Sequence, residues 1–165
     1  MKTGARARIS AIFLGFGVLL GALVHVPAHA RNPPAPPDAA ILACVDAASA
    51  RHGINPDLLL AILRVESGLR ADPVRRNQNG SIDVGIAQIN SIHFPTLRRH
   101  GIEGTHLLDP CVGIHVAAWH LKNQILRHGN TWFAVGAYHS ATPHFNQLYQ
   151  GRVARELRRM GKLSP

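Results

Sequence analysis

One short segment, residues 58–68, constrains the fold more than any other part of the chain. Its residues (Leu-Leu-Leu-Ala-Ile-Leu-Arg-Val-Glu-Ser-Gly) are apolar on almost every face of a helix. That pattern is typical of a helix buried inside a hydrophobic core. Asn55 and Pro56 supply a cap and a first-turn proline, and Gly68 supplies a stop. The rest of the domain must therefore pack around this helix.

Glu66 is a lone carboxylate on the apolar side of that helix. Leu59, Ile62 and Leu63 precede it by seven, four and three residues, so they share its face. Burial and the nearby C-terminal end of the helix both disfavour a charged carboxylate. We expect an acid that stays protonated near neutral pH, as a general acid must. The alternative is a structural ion pair with one of the arginines.

The N-terminus has the pattern of a secretory signal peptide. Lys2, Arg6 and Arg8 precede an apolar run over residues 9–26, and residues 28–30 (Ala-His-Ala) form a cleavage site. A retained membrane anchor is the alternative, because the apolar run approaches spanning length. The cleavage site and the prolines after it favour removal, which predicts an exported, periplasmic protein.

The predicted organisation is a signal peptide over residues 1–30, a proline-rich leader over 31–37, one domain over 38–160 and a tail over 161–165. Cleavage leaves 135 residues, enough for one core, and lowers the formal net charge from +9 to +6. A basic exported protein should meet acidic cell wall or lipid rather than nucleic acid.

The chain has two cysteines, Cys44 and Cys111, each on an apolar helical stripe. Both should therefore face the core. In an oxidising compartment this pair predicts one disulfide, which would contribute about 4 kcal/mol in the chain-entropy model. Two free buried thiols are the alternative.

The remaining pattern predicts a mainly helical α+β domain with a small β-hairpin. Helices are expected over about residues 38–51, 55–68, 109–128, 130–138 and 144–160. Residues 71–84 lose the helical period and contain an Asn-Gln-Asn-Gly turn, which predicts the hairpin. A further helix is expected to begin within residues 85–90 and to break at Pro95.

Three short blocks resemble the signature of the lysozyme-like lytic transglycosylases of the Slt type. They are Glu66-Ser67-Gly68, Gly85-Ile86-Ala87-Gln88-Ile89-Asn90 and Ala137-Tyr138-His139-Ser140. The chain most resembles the small, exported, IagB/VirB1-like members, which accompany type III and type IV secretion systems, conjugation machines and pili. The resemblance implies a lysozyme-like fold and cleavage of the MurNAc-GlcNAc β-1,4 bond of peptidoglycan with a 1,6-anhydromuramic product. It implies that no cofactor is needed. The candidate partners that it implies are glycan strands and components of such machines.

The resemblance also implies roles for single residues. Glu66 is similar to the catalytic acid/base, and Ser67 to the serine that supports the site. Gln88 and Asn90 resemble polar groups that line the sugar groove, and Tyr138 resembles the tyrosine whose hydroxyl approaches the catalytic carboxyl.

Two positions depart from the usual blocks. Ala87 replaces a methionine, which predicts a wider or less gripping groove, and His139 replaces an asparagine, a variant that the small specialised members often show.

Asp83 leaves the mechanism open. Residues 79–85 also resemble the hairpin of animal-type lysozymes, with Asp83 where their second carboxylate lies. A hydrolytic lysozyme using Glu66 and Asp83 is therefore an alternative. Asp83 can instead brace the hairpin by accepting backbone hydrogen bonds. A third hypothesis is a non-catalytic wall-binding assembly module. The presence of Glu66, Gln88 and Tyr138 disfavours it.

Other clusters of titratable side chains carry less information. His115 and His120 are five residues apart and point to different helix faces, and no His-Glu-x-x-His pattern occurs, so no metal site is predicted. The last helix carries a basic face that is expected to be solvated, with acidic wall or lipid as the alternative contact. That face is formed by Arg152, Arg155, Arg158 and Arg159.

Overall fold

The computed structural model describes residues 37–164, which contain six α-helices and a three-stranded antiparallel sheet. The helices are α1 (Pro37–His52), α2 (Pro56–Ser67), α3 (Phe94–Arg98), α4 (Pro110–His128), α5 (Trp132–Ala137) and α6 (Pro143–Arg159). The strands are β1 (Val74–Arg76), β2 (Ile82–Val84) and β3 (Ile89–Asn90). The predicted mainly helical α+β class is confirmed. The predicted signal peptide lies outside the described residues.

Helix α2 forms the centre of the core, as its sequence predicts. The Asn55 side chain accepts a backbone N–H of the first turn at 3.1 Å, and Gly68 ends the helix in the left-handed conformation with a φ of 65°. Leu59, Ile62 and Leu63 are fully buried. Helices α1, α4 and α6 pack around α2, so its apolar surface is covered by elements from both halves of the domain.

Helix α4 is the longest helix of the described residues and packs against α1 and α5. Asp109 caps its start by accepting the Val112 N–H at 3.1 Å. Cys111 in its first turn forms a disulfide with Cys44 of α1, and their Cα atoms lie 5.3 Å apart. The covalent link therefore joins the two helices that enclose one side of the core.

One face of the sheet carries a row of polar side chains. Asp83 on the central strand β2 pairs with Arg75 of β1 and with Asn90 of β3. Because residues opposite one another in an antiparallel sheet project from the same face, these three side chains form one polar row. The neighbouring pair Val84 and Ile89 points the other way, and both residues are buried.

Between residues 85 and 98 the sequence prediction was wrong. Residues 85–88 form a turn rather than the start of a helix, β3 follows, and a short 3-10 segment (Ser91–His93) leads into α3. Gly85 has a φ of 74°, and a Cβ there would collide with the backbone carbonyl oxygen of Leu107. Pro95 lies in the first turn of α3, where a missing N–H is tolerated, and so does not break a helix.

A second 3-10 segment (Gly104–Leu108) lies immediately before α4. Within residues 37–164 no helix combines the length and the apolar character needed to cross a membrane.

Candidate active site

A groove of about 290 Å³ lies between α2, the sheet and the C-terminal helices. It is lined mainly by polar and aromatic side chains: Val65, Glu66, Arg75, Asn77, Asp83, Gln88, Ile89, Asn90, Ile92, His93, His120, Tyr138, His139, Tyr149 and Arg152. The structure therefore brings the predicted residues Glu66, Asp83, Gln88, Asn90 and Tyr138 to one site.

Glu66 lies in the last turn of α2 with an unusual protonation equilibrium. Burial raises the pKa of its carboxyl from 4.5 to about 7, and the negative charge of Asp83 acts in the same direction. The Tyr149 hydroxyl, Arg152 and Arg75 lower this pKa without offsetting the burial. Near neutral pH the carboxyl is therefore close to its pKa and both of its forms are populated, so it can both deliver and accept a proton.

Glu66 does not form the ion pair with an arginine that was the structural alternative. The three salt bridges in the described part of the chain leave Glu66 out, and the nearby Arg64 lies 3.8 Å from Glu156 instead. Glu66 is therefore a partly buried acid without a bonded counter-ion, which is the arrangement that suits a general acid.

Two tyrosines meet beside Glu66, and their roles differ from the sequence expectation. The Tyr149 hydroxyl donates to Glu66 Oε1 at 2.5 Å. Tyr138, expected to approach the carboxyl, donates instead to the carbonyl oxygen of Ala87 at 3.1 Å. The two rings stack with centroids 6.2 Å apart. Tyr138 therefore holds the turn over residues 85–88 against the end of α5, whereas Tyr149 orients the Glu66 carboxyl.

Tyr149 was not predicted from the sequence, because none of the three blocks contains it. The only local signal is its position on the buried stripe of α6, where Asn146, Tyr149, Val153 and Leu157 follow one another at three-four spacing. That pattern identifies a core residue and does not show that its hydroxyl reaches the Glu66 carboxyl.

His139 stacks almost parallel on Tyr149, with ring centroids 5.1 Å apart and planes inclined by 7°. Burial lowers the pKa of His139, and the charges of Arg152 and Arg75 lower it further against the opposing effect of Asp83. A neutral imidazole at this position supports the ring that orients Glu66. The substitution of asparagine by histidine in the third block thus gives Tyr149 an aromatic neighbour.

Ser67 supports the site without lining the groove. Its hydroxyl donates to the carbonyl oxygen of Ile86 at 2.7 Å and ties the end of α2 to the turn before β3. Ser67 is buried and does not line the groove. Its position is that of a support for Glu66.

Gln88 lines the groove in a strained backbone conformation, with a φ of 48°. Its side-chain nitrogen donates to the carbonyl oxygens of Pro73 and Gly85, at 3.1 and 3.0 Å. These bonds close the turn against the residue that precedes β1. Gln88 therefore shapes the groove through its amide nitrogen as well as lining it.

Asp83 is braced by side-chain amides rather than by the backbone amides expected from the sequence. Asn77 donates to Asp83 Oδ2 at 3.0 Å, and Asn90 donates to Asp83 Oδ1 at 2.7 Å. Asn90 also donates to the Ser81 hydroxyl at 3.0 Å. The carboxylate is thus held at the groove surface, near enough to Glu66 to raise the pKa of that group.

Arg152 was expected on a solvated face, yet it lines the groove together with Arg75. Both guanidinium groups act on the Glu66 carboxyl. The groove thus offers positive charge on two sides of the acid, one from the sheet and one from α6.

Comparisons with known proteins found a matching family model and several similar proteins. The family model "Transglycosylase SLT domain" matches residues 43–156. Protein IpgF of Shigella flexneri is 42% identical over 100 residues, which cover 60% of this chain and 66% of that protein. Invasion protein IagB of Salmonella typhimurium is 36% identical over 105 residues, or 63% of this chain and 66% of that protein. The chain thus spans slightly less than two thirds of the length of these relatives.

The fold resembles a solved structure as well. An inactive mutant of the lytic transglycosylase Slt from Pseudomonas aeruginosa superposes with a TM-score of 0.56 at 19% identity. The match covers 74% of this chain and 25% of that protein, which supports the lysozyme-like fold.

The two tyrosines offer a matched pair of variants. Tyr149→Phe removes a hydrogen bond that lowers the pKa of Glu66, so we expect this pKa to rise above its wild-type value. Tyr138→Phe removes only the bond to Ala87 and should change the Glu66 pKa much less. The measurement is a pH titration by carbon NMR with carboxyl-labelled glutamate, since the chain has only three glutamates. Equal shifts in the two variants would contradict these roles.

Proposed function

Because this chain belongs to the transglycosylase SLT domain family, we propose that it is a peptidoglycan lytic transglycosylase acting on the β-1,4 bond between N-acetylmuramic acid and N-acetylglucosamine. The observation that carries this proposal is Glu66, a groove carboxyl with a pKa of about 7 and a Tyr149 hydrogen bond. A glycosidic oxygen must be protonated as it leaves, and this carboxyl is protonated in a large fraction of molecules at neutral pH.

The proposed reaction uses Glu66 twice. The protonated carboxyl gives its proton to the glycosidic oxygen as the bond to the anomeric carbon of the muramic acid breaks. The resulting carboxylate then takes the proton of the muramic 6-hydroxyl, and that oxygen attacks the anomeric carbon. Glu66 is thereby protonated again, an anhydro ring is formed, and no water is consumed. A pKa near 7 suits both proton transfers, because neither form of the carboxyl is strongly favoured.

For Asp83 we propose two linked roles, bracing the sheet and placing negative charge beside the reacting centre. The bracing is supported by the hydrogen bonds from Asn77 and Asn90. The electrostatic role is supported by its position in the groove and its effect on the Glu66 pKa. The same observations favour the second candidate, a hydrolytic lysozyme in which Asp83 acts with Glu66.

We also propose that the mature domain, residues 38–160, is exported to the periplasm after cleavage of residues 1–30 and opens the wall locally for a secretion, conjugation or pilus machine. The export is supported by the signal-peptide pattern at the N-terminus. The machine-associated role is supported by the similarity to IpgF and to a protein named invasion protein IagB. Glycan strands would be the substrate, and components of the machine would be partners.

The chemistry is tested by the products from purified sacculi and by Glu66→Gln. The wild-type protein should release fragments with 1,6-anhydromuramic ends. Glu66→Gln keeps the shape of the side chain but removes the transferable proton, so the rate should fall by on the order of 10²–10⁴. Asp46→Asn removes an exposed carboxylate of α1 outside the groove and is the matched control. Mass spectrometry of the fragments supplies both readouts, and near-normal release by folded Glu66→Gln would contradict the assignment of the acid.

Asp83→Asn separates the two candidate functions. The new amide nitrogen would face an Asn77 or Asn90 donor, so we expect a lower melting temperature, a moderate loss of rate and unchanged anhydro products. The readouts are thermal unfolding and the same fragment analysis. Reducing-end products from the wild type, together with complete loss of activity in folded Asp83→Asn, would instead identify a hydrolytic lysozyme.

A further inference from the structure

A second cavity, of about 490 Å³, shares no residue with the groove that contains Glu66. We call it the basic pocket. Its apolar surface is formed by Leu97, Ile102, Val112, Val116 and Trp119, which come from α3, the segment after it and α4. Leu97 and Val116 are buried in the core, and the other three pack against the core while remaining partly exposed. The pocket therefore offers a concave apolar surface at the outside of the domain.

The rest of the lining carries only basic or titratable nitrogen groups. They are Arg51 and His52 of α1, His100 after α3, His106 of the 3-10 segment before α4, and His115 of α4. Arg51, His100 and His106 are exposed. None of the ten lining residues is acidic. Four separate elements thus place basic or titratable nitrogen groups, and no carboxylate, around one apolar cavity.

These nitrogen groups lie close enough to affect one another. The rings of His52 and His115 meet edge to face with centroids 6.1 Å apart. The pKa of His52 is lowered by burial first, and then by His115, Arg51 and Lys122. An anion bound at this rim would act in the opposite direction and favour the protonated, positively charged form of His52.

The shape of the pocket narrows the kind of ligand. Despite its histidines, no group of three His, Cys, Asp or Glu side chains in residues 37–164 could hold a metal ion. A polynucleotide would need a basic groove that follows its backbone, with aromatic side chains on which successive bases stack, whereas this pocket is a single cavity with one arginine and one tryptophan. An apolar cavity of this size can accept one or two side chains of a bound peptide. The arginine and histidines of its lining could then contact carboxylates next to those side chains.

From this combination we propose that the basic pocket docks an acidic peptide segment of a protein partner. One aromatic or branched aliphatic side chain of the peptide would insert against Trp119 and Val116, and flanking carboxylates would contact Arg51 and the histidines of the rim. The pocket would then recruit the partner independently of the chemistry at Glu66.

The probe for the test is the synthetic peptide acetyl-Asp-Glu-Phe-Glu-Asp-amide. The chain has two tryptophans, so Trp132→Phe leaves Trp119 as the only indole fluorophore, inside the pocket. We expect a saturable change of Trp119 fluorescence that weakens as sodium chloride is added. Replacing Phe by Ala, or the four acids by Gln, should weaken binding by about tenfold or more.

Charge reversal locates the binding site on the protein. Arg51→Glu and His100→Glu lie at exposed positions and should each weaken peptide binding by about tenfold while preserving the helical circular dichroism spectrum. The matched controls are Arg155→Glu and His144→Glu, which are exposed on α6 outside the pocket and should bind the peptide as the parent does.

Three results would overturn the proposal. The first is equal affinity for the acidic peptide and its Gln counterpart. The second is equal binding by the rim variants and the α6 controls. The third is no saturable binding of the peptide while vesicles of phosphatidylglycerol, or purified sacculi, bind in a manner that Arg51→Glu abolishes, since this would assign the pocket to lipid or wall. Each outcome is a binding measurement and does not depend on whether the groove is active.

Discussion

The structure depends on the burial of one apolar helix, α2, which carries a carboxyl group near its C-terminal end. Helix α2 must be buried because its surface is apolar nearly all round, and Glu66 is carried into the protein with it. Burial favours the protonated form, and the Tyr149 hydroxyl gives the carboxyl a fixed orientation. The same packing that stabilises the domain therefore prepares the acid for proton transfer.

The other elements of the groove hold their residues in place around this acid. The strand register brings Arg75, Asp83 and Asn90 to one face, and the amides of Asn77 and Asn90 hold the Asp83 carboxylate there. The bond from Ser67 to Ile86 connects the helix that carries Glu66 to the turn that carries Gln88. Helix α6 packs against α2 and also supplies Tyr149, so the interface that stabilises the domain also orients the Glu66 carboxyl.

Features that depend on local chemistry could be predicted from the sequence, whereas features that depend on distant contacts could not. Helix α2 was predictable because Asn55, Pro56 and Gly68 define its ends locally. The turn at Gly85 was not, because the close approach of Leu107 decides its conformation. The hydrogen-bond partner of Glu66 could not be predicted either, because Tyr149 lies 83 residues away in the sequence. The neighbouring Tyr138, and not Tyr149, belongs to one of the three signature blocks. Glu66 itself was identified because its apolar surroundings belong to its own helix.

The central claim is that folding raises the pKa of Glu66. The most direct test is to measure the free energy of unfolding of the wild type and of Glu66→Gln between pH 4 and pH 8. Folding raises the pKa of Glu66 from 4.5 to about 7. Below pH 4.5 the carboxyl is protonated in both the folded and the unfolded protein, so this shift does not change the free energy of unfolding. Between pH 4.5 and pH 7 the shift lowers the free energy of unfolding progressively. Gln has no such titration. The stability of Glu66→Gln relative to the wild type should therefore grow across this window, by up to about 3 kcal/mol, and then stay constant. A difference that is independent of pH would contradict the account.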